Sequence, residues 1–214
     1  MATVRKFHLP HYPSYPIYIS TFKNVENAAF LRSQLLEGNP NFDYAFLDAS
    51  TILSLNHILL PAFLALSLHT SGRAKTKTVH SELVFRLHPN NNIAESFKKF
   101  GIGDSSRNII AVKIGGFMKE GQDEVAEESV SRHLGEVVQG DSTDPGERGE
   151  RLGEECEMEK VRKMYKLESG AGGGGKKGKK IGNTGEAVNG MGGEEKDRKE
   201  MESVVLGVIT LKGS

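Results

Sequence analysis

Thirteen of the fifteen aromatic side chains lie before residue 116, and twenty of the twenty-five glycines lie from residue 116 onward. A chain folds where it can bury apolar side chains, so the core must come mainly from the first 115 residues. Charge divides at the same point. Residues 1–115 hold 12 Lys/Arg and 7 Asp/Glu, a net of +5, and the rest hold 16 and 21, a net of −5. At 214 residues a single domain over 1–214 is expected. Within it we expect a flexible acidic loop over residues 140–154 and a low-complexity Gly/Lys linker over residues 169–193.

Cys156 is the only cysteine, which excludes an intrachain disulfide and a thiolate zinc site. The longest apolar run, residues 58–66, is too short to span a bilayer and is broken by Pro61. No signal-like stretch follows the first residues, so the expectation is a soluble protein inside the cell, with no membrane partner.

Strands are predicted over residues 4–9 and 17–22, with a proline-rich loop over 10–16 between them. Asn24 is expected to cap a helix closed by Gly38 and Pro40, and residues 44–48 form a short buried strand. Ser54 starts an apolar helix to about His69, in which Pro61 should produce a kink, and Gly72 ends it. Residues 79–87 read as a central strand, because Ser81, Leu83, Phe85 and Leu87 share one parity. Pro89 and three asparagines then lead to a helix capped by Asn92 over residues 93–100, and a strand follows over 108–114. Helices are also predicted over 129–138, around 158–165 and at the C-terminal end. The last has Met201, Val204, Val205, Val208 and Ile209 as its apolar face.

Four clusters invite a chemical reading. Residues 170–177 match a phosphate loop up to its lysine, but Lys177 stands where a Ser or Thr should hold magnesium, so the tract reads as linker. His80, Ser81 and Glu82 have the residue types of a nucleophilic site. Consecutive strand residues face opposite ways, so they read instead as a structural group. The remaining histidines have no carboxylate at metal-ligand spacing, and no cofactor or metal is expected. Arg73, Lys75 and Lys77 alternate with Ala74, Thr76 and Thr78, which in an extended chain lines three cations along one side. That arrangement suits phosphates, and it equally suits a guarded, solvated edge.

The stretch HSELVFRLHPNNNIAESFKKFGI, residues 80–102, resembles a signature of the Cgi-type (TPRKB-like) subunit family of the KEOPS (EKC) complex. Residues 22–50, 160–167 and 204–214 carry further matching pieces. The Gly/Lys tract departs from the family pattern and reads as an insertion in a fungal-like form. The elements and the resemblance together imply an α/β (α+β) fold: a central mixed, largely antiparallel sheet of about five strands, helices packed around it, and disordered C-terminal insertions.

The resemblance also implies a non-catalytic subunit that binds and stimulates a small atypical kinase/ATPase of the Bud/PRPK type. Through that kinase it would meet a sugar-kinase-like catalytic subunit. It would help recruit tRNA for threonylcarbamoyladenosine (t6A) modification, in the nucleus and cytoplasm, with a family link to telomeres on chromosomes. It implies a kinase contact on the last helix, for which Val204, Val205, Val208 and Ile209 are the candidates, and it favours the RNA reading of Arg73, Lys75 and Lys77. The rival readings are a stand-alone RNA-binding protein and an enzyme using His80 and Glu82.

Overall fold

A computed structural model describes residues 1–117, 125–167 and 190–212, with the side chains of the last segment described from 195. Five strands form one sheet: β1 (Arg5–Leu9), β2 (Tyr12–Lys23), β3 (Ala45–Asp48), β4 (Ile109–Ile114) and β5 (Asp141–Thr143). Seven helices are described: α1 (Ala28–Leu36), α2 (Asn56–Thr70), α3 (Val79–Leu87), α4 (Ile93–Phe100), α5 (Glu127–Val137), α6 (Met158–Tyr165) and α7 (Gly190–Leu211). The strand order is β1-β2-β4-β3, with β5 also paired to β2, and every pairing among these strands is antiparallel.

Both faces of the sheet are buried, which is why its inner strands read as unbroken apolar runs. Ile17, Ile19, Leu47, Ile110 and Val112 point to one side, against residues of α2, α3, α4, α6 and α7. Tyr18, Phe22, Phe46, Ile109 and Ala111 point to the other, against α1 and α5. The outer edge of β3 is closed by a bridge from Leu47 to Gly101 and by Ile102 N–H donating to Phe46 O at 3.0 Å.

Four expectations need correction. Residues 79–87 form helix α3, not a strand. Val79, His80, Glu82, Leu83, Val84, Phe85, Arg86 and Leu87 are all buried. A helix buried all round has no polar stripe, so an alternation of two can be read into it by accident. Its start was nonetheless encoded: the Thr78 side chain accepts from Ser81 N–H, and Ser81 Oγ accepts from Thr78 N–H. The fifth strand is instead β5, so residues 140–154 are not a free loop. Thr143, Ser142 and Asp141 pair with Thr21, Phe22 and Lys23, and Leu152 is buried.

Residues 10–16 are likewise not all loop. The hairpin closes at Leu9 and Tyr12, with Pro13 and Pro16 inside β2 beyond an irregular register. Pro16 lacks an N–H, yet its carbonyl accepts from Gly115 N–H at 2.8 Å. Lastly, Asn24 does not cap α1. It adopts a left-handed φ of 53° and donates to Asp141, and Asn27 stands at the cap position. Most of residues 169–193, including the 170–177 tract, lie outside the described residues; 190–193 belong to the first turn of α7.

A buried polar chain fastens α2, α3 and α6 together. Leu53 N–H donates to His57 Nδ1 at 3.2 Å, so Nε2 carries the ring proton and donates to Tyr165 Oη at 2.8 Å. The Tyr165 hydroxyl in turn donates to Leu87 O. Burial pushes His57 down to about 3 from its ordinary 6.5. Between these values the unfolded chain holds a proton that the folded one lacks, so this contribution is full above pH 6.5 and is lost as pH falls towards 3. A thermal-melt series should show stability declining below pH 6.5 with a slope of up to about 1.4 kcal/mol per pH unit from this group. His57→Asn, whose amide oxygen can accept from Leu53 N–H, should have a shallower decline.

Candidate functional site

The loop carrying the predicted cations, residues 71–78, is shaped by one carboxylate. Glu82, on the first turn of α3, is fully buried. Its Oε2 accepts from Lys75 N–H, Thr76 N–H and Thr76 Oγ, each at 3.0 Å, and its Oε1 accepts from Arg86 Nε at 2.8 Å. Four donors converge on the carboxylate, which offsets the cost of burying it. The loop is therefore not the extended strand entrance expected from its alternation. The exposure pattern survives the change of conformation: Arg73, Lys75 and Lys77 are exposed, and Ala74, Thr76 and Thr78 are half-buried.

His80 and Glu82, the residues of the enzyme reading, are both inside. His80 Nε2 accepts from Ile114 N–H at 2.8 Å, which ties α3 to the end of β4. Its Nδ1 has no well-aligned hydrogen-bond partner, although Asp43 Oδ1 lies 3.0 Å away as a charge contact. Burial lowers the His80 pKa against the opposing pull of Asp43. Asp43 feels burial pushing it up, but His80 and Lys113 outweigh this and hold it well below the usual carboxylate range. Glu82 is fully buried and already accepts four hydrogen bonds from the protein, and His80 spends Nε2 on the backbone.

The last helix has two apolar edges. Met201, Val205 and Ile209, four residues apart, are buried in the core. Val204 is 49% exposed and Leu211 74%, and Val208 lies between them half-buried. The four candidates thus separate: Val205 and Ile209 hold α7 to its own domain, while Val204 and Val208 lie on an outer edge that continues to Leu211. Spacings of three, four and seven put these last three on one face. Polar contacts fix the docking. Glu202 accepts from Ser54 Oγ and Asn56 Nδ2, Arg162 of α6 pairs with Asp197, and Arg198 donates to Leu53 O.

Leu211 and Lys212 were not among the expected site residues. Lys212 Nζ donates to Phe85 O and lies 3.7 Å above the centre of the Phe85 ring, so the end of α7 meets α3 beside the Glu82 loop. The only prior signal was the three- and seven-residue spacing of Leu211 from Val208 and Val204. Among the described residues, no group of three or more His, Cys, Asp or Glu side chains is placed to hold a metal ion. No helix there is long and apolar enough to cross a membrane.

The described residues thus form a helix-covered sheet that presents a basic loop and an apolar helix edge. The profile of a family described as "Kinase binding protein CGI-121" matches residues 22–213. The chain is 47% identical over 239 aligned positions to the EKC/KEOPS complex subunit CGI121 of Phaeosphaeria nodorum, covering 99% of this chain and all of that protein. It is 37% identical over 207 positions to the EKC/KEOPS complex subunit cgi121 of Aspergillus fumigatus, covering 96% and 95%. The Schizosaccharomyces pombe subunit of the same name is 35% identical over 132 positions, covering 62% and 72%. The chain belongs to the CGI-121 family of kinase-binding proteins.

Removing the loop's anchor should be costly. Glu82→Ala leaves Arg86 buried without its carboxylate, and we expect a loss of about 3–5 kcal/mol in urea unfolding. Glu82→Gln, which keeps the shape and can still accept from the loop, should lose less.

Proposed function

We propose that this chain is a non-catalytic subunit of a KEOPS/EKC complex, which binds and stimulates the small atypical kinase of that complex through the outer edge of α7. The observation that carries this reading is the division of α7. Its inner stripe is used by the fold, while Val204, Val208 and Leu211 leave apolar surface at the rim. The family description and the names of the relatives support the kinase as the occupant. Through the kinase the chain would meet the sugar-kinase-like catalytic subunit that carries out t6A chemistry on tRNA, in the nucleus and cytoplasm, with the telomere link of the family.

Charge substitutions on the two edges should behave differently. Val204→Glu puts an ion where water can still reach it in the free protein but not under a partner. It should fold with a near-normal melting curve and bind the purified kinase about tenfold or more weakly. Val205→Glu buries the ion in the protein's own core and should unfold it. Kinase binding that survives Val204→Glu intact would remove α7 from the interface.

A second role, helping to recruit tRNA, is favoured by the exposure of Arg73, Lys75 and Lys77 together on one anchored loop. Changing all three to Ala should flatten the salt dependence of tRNA binding by roughly 0.7–0.9 units of slope per lost phosphate contact. An unchanged slope would make the loop an ordinary solvated edge. Tight, salt-dependent RNA binding by the chain alone, with no effect of the kinase, would favour the stand-alone RNA-binding reading.

A further inference from the structure

Three cations surround the Phe85 ring. Lys212 Nζ lies 3.7 Å from its centre, the Arg86 guanidinium 5.2 Å and Lys75 Nζ 5.9 Å. They come from the end of α7, from α3 and from the 71–78 loop. Glu82 is the carboxylate that acts on Lys212, and it already accepts four hydrogen bonds, one of them from Arg86. Three positive groups against one committed carboxylate leave an excess of positive charge. Two of its members can be reached from outside: Lys75 is exposed, and Lys212 is half-buried. Lys212 follows Leu211, so the charge sits where the apolar edge of α7 ends.

We infer that the kinase surface seated on Val204, Val208 and Leu211 carries an Asp or Glu side chain that meets Lys212 and Lys75 at the end of that edge. This rests on the kinase reading and adds the chemistry of the partner to it. The apolar edge fixes where the partner lies, and the excess charge fixes the sign of what it brings. The environment of Lys212 agrees: burial first, then Arg86 and Lys75, push its amine down to about 7, against Glu82. His88, just past α3, is lowered first by burial and then by Lys212 and Lys99, against Asn90 and Glu95. A carboxylate arriving beside Lys212 would favour its charged form, so binding takes up a proton and weakens as pH rises above 7.

The test uses the full chain and the purified kinase, by calorimetry between pH 6.5 and 9 and at two salt concentrations. Wild type should bind progressively more weakly above pH 7. Lys212→Met, which keeps the stem on Phe85 without the charge, should bind several-fold more weakly, with a flatter pH profile and a smaller salt effect. Lys212→Glu should be weaker still, with the melting curve recorded for each variant. Val204→Glu separates the two claims. If it abolishes binding while Lys212→Met and Lys212→Glu bind as wild type, the partner brings no carboxylate and the inference fails alone. If Val204→Glu binds normally, the kinase reading of α7 fails and the inference with it. If the Lys212 variants lose tRNA affinity and keep kinase affinity, the cluster serves a phosphate, and the inference is overturned.

Discussion

The Glu82 carboxylate is the interaction on which both candidate surfaces depend. Fully buried, it needs hydrogen-bond donors, and it takes them from the turn before α3 and from Arg86 one turn later. The first set holds the backbone of Lys75 and Thr76, which fixes how Arg73, Lys75 and Lys77 are displayed. The second places the Arg86 guanidinium beside Phe85, where the end of α7 arrives with Lys212. A basic loop and an apolar helix edge, far apart in sequence, are thereby gathered around one helix. Such a group stabilises the fold only while complete, since removal of any member leaves another charge unpaired in a dry interior.

The sheet spends its faces on packing. Its two faces are fully used, one by α1 and α5 and the other by the remaining helices, and the β3 edge is closed by Gly101. The His57–Tyr165–Leu87 chain then sets α6 against α2 and α3, and α7 lies over this layer with its inner stripe. The surface left for a partner is what the helices do not spend on packing. On α7 that is the rim formed by Val204, Val208 and Leu211.

Much of this was legible in the sequence, and the misses have physical causes. The inner strands were readable because β2, β3 and β4 are apolar on both faces, and α2, α4, α5 and α6 because their caps or apolar spacing are clear. The α3 helix was not, because Leu83, Val84, Phe85 and Leu87 are buried on every side and leave no helical stripe. The capping pair of Thr78 and Ser81 and the four-residue step from Glu82 to Arg86 mark the helix in the structure, and the alternation hid them in the sequence. The β5 strand, Asp-Ser-Thr, has no apolar residue at all; only its pairing with Thr21 and Phe22 makes it a strand. For α7 the sequence showed one broad stripe. Which edge faced inward depended on where α2 and α6 lie, and that is tertiary information.

The central claim is that α7 meets the kinase with its outer edge while its inner edge stays in the core. Site-specific photocrosslinking tests it most directly: a benzophenone side chain is placed at position 204, and separately at exposed Phe30 on α1, across the sheet. The account predicts a crosslink to the kinase from position 204 and none from position 30. A crosslink from position 30 with none from position 204 would contradict it, placing the partner on the α1–α5 face.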